Sequence, residues 1–100
     1  MTIIDKEAIK KDVVHCLAGA EEIRKIVVFG SFNTAEDPDD IDVAVFQESQ
    51  TAYLELALKY RRMLRPVLHR IDVDVIPVRP DPDRSSFLGE IETGEAIYEK

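Results

Sequence analysis

The sequence predicts a small α/β fold, with a mixed sheet of about four strands and helices packed mainly on one face. Short apolar runs that end in turn residues are typical of buried strands, and they alternate with longer segments whose apolar residues recur at helical spacing. A chain of 100 residues is long enough for one hydrophobic core and no more. We therefore expect residues 1–100 to form a single domain.

Helical spacing of apolar residues marks two longer helices. Residues 3–19 are predicted to form the first, with Thr2 and Asp5 placed as a capping pair. Ser49 is placed to cap the second, which is expected to end before Pro66.

Apolar runs and alternation mark the strands. Residues 26–29 and 41–46 are predicted to be buried strands, and a third is expected to begin at Ile71 and to end at the prolines that start with Pro77. After a proline-rich loop we expect a short helix from Ser85 or Ser86 through Glu92, a left-handed stop at Gly94 and an edge strand over residues 96–98.

Composition limits the class of protein. No apolar run approaches the roughly 20 residues that a membrane helix needs, the start of the chain has no secretory signal, and Cys16 is the single cysteine. These features predict a cytoplasmic protein without a membrane partner. The net charge of −7 argues against direct nucleic-acid binding, because affinity for a phosphate backbone comes mainly from clustered Lys and Arg.

Glycine, serine and paired aspartates meet where two predicted strands end and begin. The first strand runs into Gly30-Ser31, where a backbone without a Cβ can approach a phosphate, and the next opens with Asp40 and Asp42. Residues two apart in a strand point to the same face, so these carboxylates would crowd each other unless a cation lies between them. A divalent metal is the natural candidate.

Carboxylates recur on the third strand, where Asp72 and Asp74 alternate with apolar residues. If this strand lies beside the second, three or four acids meet on one face, which suits Mg²⁺. The plain alternatives are a strand-ending turn for Gly30-Ser31 and a solvated turn for the first aspartate pair. The position of Asp42 inside an apolar strand favours the site, because an unpaired carboxylate there would be costly.

Gly30-Ser31, Asp40-x-Asp42 and a later strand aspartate together resemble the signature of the minimal nucleotidyltransferases of the DNA polymerase β superfamily. The resemblance spans residues 26–77. The segment 87–98 is also similar to the Glu-Ile-x-x-Gly-x-x-x-Tyr close that is frequent in that family.

The resemblance implies a nucleotidyltransferase fold and a Mg²⁺-dependent enzyme that transfers a nucleoside monophosphate, AMP from ATP, to a hydroxyl group. It makes Asp40 and Asp42 ligands of two Mg²⁺ ions and has Gly30 and Ser31 hold the triphosphate. Asp74 would be the third catalytic and metal-binding carboxylate, with Asp72 as the alternative. Two such ions would stabilise the attacking and leaving oxygens of an in-line displacement.

Size and one departure from the family pattern shape the expected partners. The chain has no room for an acceptor-binding domain, which disfavours a small-molecule acceptor and predicts that another protein or a second copy presents the hydroxyl. The resemblance suggests a small helical HEPN-type partner in a toxin–antitoxin pair. Residues 32–36 lack the basic residue that family members often carry after Gly-Ser. This departure supports an alternative, a non-catalytic module that neutralises its partner by contact.

Overall fold

The computed structural model describes residues 5–79 and 94–100, so the predicted helix between residues 85 and 92 and the predicted cap Thr2 lie outside it. In chain order the described elements are α1 (Lys6–Leu17), β1 (Ile23–Phe29), a 3-10 turn (Gly30–Phe32), β2 (Asp40–Gln47), α2 (Tyr53–Met63), α3 (Arg65–Leu68), β3 (Asp72–Val78) and β4 (Glu95–Glu99). None of the helices in this part of the chain has the length and apolar character needed to cross a membrane.

The four strands form one mixed sheet in the order β3-β2-β1-β4. β2 and β3 are parallel and are joined through α2 and α3, whereas β1 is antiparallel to both β2 and β4. Parallel neighbours need such a helical crossover, which explains why the alternating pattern of the sequence predicts the topology class. The predicted α/β fold with a four-stranded mixed sheet is confirmed.

The two faces of the sheet bury different side chains. The larger core lies on the face covered by the helices, and its buried strand residues are Ile23, Ile26, Val28, Ile41, Val43, Val45 and Val73. A smaller cluster of Val27, Phe29, Ala44 and Val78 lies on the opposite face. Because side chains alternate along a strand, Asp40 and Asp42 share the face of Ala44, away from the helices.

Helix α1 begins where the sequence places a cap. The Asp5 side chain accepts a hydrogen bond of 3.1 Å from the backbone N–H of Ala8, which satisfies one of the unpaired donors of the first turn. The helix then buries Ile9, Val13 and Leu17 against the sheet. Asp5 is therefore the N-cap itself, whereas the predicted pair places Thr2 at the cap and Asp5 inside the first turn, and the helix is shorter than the predicted 3–19.

Helix α2 begins at Tyr53 after Ala52, so the prediction that Ser49 caps it is wrong. The Ser49 hydroxyl and backbone N–H both donate to the Gln47 side-chain carbonyl, each at 2.6 Å, which ties Ser49 to the end of β2. Pro66 lies in the first turn of α3, where its missing N–H costs no helical hydrogen bond.

Two further details differ from expectation. Pro77 does not end β3: it pairs with Val45 inside the strand, which is tolerated because β3 is an edge strand and its outer side needs no donor. Gly94 does not have the left-handed conformation of a helix stop. It is instead packed against β1, and a Cβ there would lie 2.6 Å from the Val28 carbonyl oxygen and 2.8 Å from the Phe29 Cβ.

An ion-pair network joins α2 to the loop before β1. The Glu22 carboxylate accepts hydrogen bonds from Lys59 Nζ at 2.9 Å and from the hydroxyl of the fully buried Tyr60 at 2.8 Å. Burial works to raise the pKa of Glu22, but these hydrogen bonds outweigh it and hold that pKa below its ordinary value. Burial, followed by the bond to the charged Glu22, raises the pKa of Tyr60 above its ordinary range.

The close packing of Gly94 can be tested by Gly94→Ala. Because the added Cβ would overlap backbone and Cβ atoms of β1, we expect the free energy of unfolding to fall by about 1–3 kcal/mol in chemical denaturation. Gly19→Ala is the matched control, since a Cβ at Gly19 has no neighbour within 4 Å and should leave stability unchanged or slightly higher. Equal stability of the two variants would contradict the packing.

The network around Glu22 predicts a pH dependence. The folded state lowers the pKa of Glu22, so its stabilising contribution is present above the unfolded pKa and is lost as the pH falls through the folded value. We expect Glu22→Gln to reduce the slope of unfolding free energy against pH below about pH 4.5. Equal slopes for the variant and the wild type would show that Glu22 is not stabilised in this way.

Candidate active site

The parallel register of β2 and β3 places four aspartates on one face of the sheet. Asp40 pairs with Asp72, and Asp42 pairs with Asp74. Neighbouring strands lie about 4.8 Å apart and residues two apart in a strand lie about 7 Å apart, so the four side chains leave the sheet from a small area. Asp40 and Asp42 are half-buried, whereas Asp72 and Asp74 are exposed.

Gly30 lies directly against the carboxylate of Asp42. It follows Phe29, which pairs with Asp42 across β1 and β2, and it has a φ of +76°, the one glycine with positive φ among the described residues. A Cβ on Gly30 would lie 2.6 Å from Asp42 Oδ2. Glycine is therefore required here both for the backbone conformation and for the space that the carboxylate occupies.

The turn after Gly30 presents Ser31 to solvent. Ser31 is exposed, while its backbone carbonyl accepts hydrogen bonds from Thr34 at 3.1 Å and from Ala35 at 2.7 Å. Asn33 Nδ2 donates to the Val28 carbonyl at 2.9 Å and so ties the turn back to β1. The Ser31 hydroxyl is thus held on an ordered turn next to Gly30 and Asp42.

Helix α1 brings two lysines to this turn, a contact that the motifs of the sequence do not predict. The ammonium groups of Lys6 and Lys10 lie 5.8 and 6.0 Å from the centre of the Phe32 ring, a distance that suits cation–π contact. Lys6 also donates to the Ala35 carbonyl, and Lys10, which is almost fully buried, pairs with Glu95 of β4. The sequence holds one signal for this contact: Lys6 and Lys10 lie four residues apart and therefore on the same side of one helix.

The metal-binding role of the aspartates stays a prediction. Carboxylate oxygens are the ligands that Mg²⁺ prefers. Because Gly30 has no side chain, there is room beside it for the carboxylate of Asp42. In residues 5–79 and 94–100, however, no three His, Cys, Asp or Glu side chains are already gathered so that they could hold a metal ion. A bound metal and its phosphate ligands would have to draw the carboxylates of this face together.

The other ionisable candidates lie apart from this face. His15 lines a groove between α1 and β4, and His69 follows α3, so neither joins the aspartates. From the basic cluster, Arg61 Nη1 donates to the Val73 carbonyl at 2.9 Å, next to Asp74 in β3. Arg70 pairs with Asp12 of α1 instead.

The model of a known protein family matches most of this chain. Residues 11–100 match the sequence model of the family described as polymerase beta, nucleotidyltransferase. Among curated proteins, none matches this sequence significantly.

Solved structures with a similar fold include three toxin–antitoxin complexes. A chain of the MntA–HepT complex superposes with a TM-score of 0.64 at 18% identity, over 94% of this chain and 73% of its own. A chain of the Shewanella oneidensis complex of tri-AMPylated HEPN toxin and MNT antitoxin gives 0.60 at 21% identity, over 95% and 73%. A chain of a toxin–antitoxin complex with AMP-PNP gives 0.59 at 22%, over 91% and 73%. At these identities the likeness establishes the fold.

The contact between Gly30 and Asp42 can be tested by Gly30→Ala. An alanine at φ +76° costs roughly 1–2 kcal/mol, and its Cβ would push the Asp42 carboxylate away. We expect a loss of about that size in denaturant unfolding and a shifted Asp42 side-chain signal in NMR spectra. An unchanged Asp42 signal would contradict the contact.

Proposed function

The chain belongs to the polymerase beta nucleotidyltransferase family, and we propose that it transfers AMP from ATP to a hydroxyl of a partner protein. The observation that carries the proposal is the pairing of Asp42 with Asp74 on the sheet face opposite the helices, which we call the aspartate face, beside Gly30 and the exposed Ser31. This arrangement would put hard oxygen ligands for a metal next to a turn whose backbone and hydroxyl could contact a phosphate.

Each residue of the face has a part in the proposed reaction. Gly30 and Ser31 would hold the triphosphate through the backbone and the hydroxyl of the turn, and Asp40, Asp42 and Asp74 would hold Mg²⁺. The ions would supply charge neutralisation for the polyphosphate and the transition state. Asp74 is exposed, as is Asp72, whereas Asp40 and Asp42 are half-buried. Asp74 is therefore open to the acceptor.

The transfer step itself balances as an in-line displacement. The acceptor oxygen forms a bond to the α-phosphorus while the bond from that phosphorus to the bridging oxygen breaks, and pyrophosphate leaves. Asp74 would take the hydroxyl proton as the new bond forms. Asp72 pairs with Asp40 one step earlier along the strand and is the alternative base.

A HEPN-type protein is the proposed acceptor. The similar structures named above are toxin–antitoxin complexes, and one of them is a complex of a tri-AMPylated HEPN toxin with an MNT antitoxin. On this proposal the chain is the antitoxin of a toxin–antitoxin pair and works in the cytoplasm, the compartment that its single cysteine fits.

A non-catalytic module that neutralises its partner by contact is the second candidate. It is favoured by one observation, that residues 32–36 carry no basic side chain of their own for the triphosphate. Neutralisation by contact alone would need neither ATP nor the aspartates of the aspartate face. The two candidates therefore differ in what an aspartate substitution does.

The proposal is tested with the purified chain, the HEPN-type protein of the same source, α-labelled ATP and Mg²⁺. We expect the partner to gain label and the mass of AMP, and Asp42→Asn to lower the rate by at least about a hundredfold, because it removes a metal ligand. Asp74→Asn should do the same, whereas Asp72→Asn, on the same face and strand, is the matched control and should retain most activity.

The possible outcomes separate the candidates. A partner that binds with unchanged mass, equally to wild type and Asp42→Asn, would establish the contact module and refute the enzyme. Loss of transfer in Asp72→Asn but not in Asp74→Asn would exchange the roles of these two carboxylates.

A further inference from the structure

The described residues expose three large apolar side chains, and all of them lie on α2. Tyr53 is 58% exposed, Leu54 68% and Leu58 53%. Leu54 and Leu58 continue into the exposed Arg61 and Arg62 at helical spacing, so these four residues form one row along the solvent side of the helix. We call this row the α2 ridge. A row of this kind is typical of a surface that another protein covers.

A groove connects the α2 ridge with the proposed active site. It has a volume of about 300 Å³ and runs between α2 and the outer edge of β3, where it is lined by Leu58, Arg61, Val73, Asp74 and Ile76 among others. Asp74 therefore borders both the groove and the carboxylate face. A protein that rests on the ridge lies within reach of the residue proposed to accept the proton.

Charge indicates the chemistry of the partner. Four other cations in the described part of the chain form salt bridges with its own carboxylates, among them Lys59 with Glu22 and Arg70 with Asp12. No carboxylate in the described part of the chain forms a salt bridge with Arg61 or Arg62. These two guanidinium groups, set beside exposed leucines, fit a partner that carries acidic residues next to apolar ones.

The shape of the surface favours a helix over an added strand. β3 is an edge strand, but the Arg61 guanidinium already donates to its Val73 carbonyl, so a pairing strand would have to displace it. The exposed side chains of the ridge recur every three to four residues, which is the spacing that the side chains of a helix packed alongside would match.

We propose that the α2 ridge and the adjoining groove are the docking surface of the acceptor protein, which contributes a helix with an apolar stripe flanked by Asp or Glu. Docking there brings an acceptor hydroxyl to Asp74 along the groove. The inference rests on the proposed function and deepens it, because it names the surface that supplies the acceptor.

The test measures binding of the HEPN-type protein to the full chain by calorimetry, with variants of the ridge. Leu58→Asp and Arg62→Glu should each weaken binding by at least about tenfold, because they remove an apolar contact or reverse a charge at the interface. Lys11→Glu is the matched control: it makes the same charge reversal at an exposed position of α1 and should leave binding within about twofold. Melting temperatures of the three variants check that they remain folded.

A transfer assay adds a second measurement. The ridge variants should raise the KM for the acceptor while kcat at saturating acceptor stays within a few-fold of wild type, because the carboxylates are untouched. Asp42→Asn should show the reverse, normal binding without transfer.

Several results would overturn the docking surface. Wild-type affinity in both ridge variants would refute it. Dimerisation of the chain alone, seen in light scattering and lost in the Leu58→Asp variant, would also refute it and would assign the ridge to a second copy. No binding of the HEPN-type protein to the wild-type chain would refute this inference together with the proposed partner. Binding that depends on the ridge without any transfer would refute only the proposed enzyme.

Discussion

Asp42 and Asp74 are neighbours because β2 and β3 run parallel with Ile41 beside Val73 and Val43 beside Val75. These apolar side chains point into the helix-covered core, and the aspartates between them point away from it. A shift of one residue in either strand would turn its carboxylates into the core and its apolar side chains out of it. The packing of the core thus fixes the register of β2 and β3 that brings the aspartates together on one face.

Two glycines that allow close approach border the aspartate face. Gly30 leaves space for the Asp42 carboxylate, and Gly94 packs directly against Val28 and Phe29 of β1. On the other side of the sheet, Lys6 and Lys10 of α1 contact Phe32 and the segment that follows Ser31. The turn that would bind phosphate is thereby fixed from the helical layer as well as from the sheet.

Local sequence signals predicted most of the fold. Asp5 as the cap of α1 and the apolar cores of β1 and β2 depend on residues close together in the chain, so spacing was sufficient to find them. Pro77 inside β3 was not predictable, because it depends on β3 being an edge strand. Ser49 is not a cap because Gln47 takes its hydroxyl, a local competition that the cap pattern does not reveal.

For the candidate site the same division holds. That Asp40 and Asp42 share a face follows from the period of a strand, but the pairing of Asp42 with Asp74 depends on a register set by the whole sheet. The burial of Lys10 depends on Phe32 and on Glu95, which is 85 residues away in the chain, so it could not be read from α1 alone. The left-handed backbone of Gly30 likewise becomes meaningful only beside the Asp42 carboxylate.

On the proposed function, the aspartate face binds metal and nucleotide together. NMR of the labelled chain tests this with a non-hydrolysable ATP analogue and Mn²⁺, whose paramagnetism broadens the signals of nearby nuclei. We expect the strongest broadening at Gly30, Asp42 and Asp74 and much weaker broadening at Leu17, at the far end of α1. Broadening centred elsewhere, or broadening that the Asp42→Asn variant leaves unchanged, would contradict it.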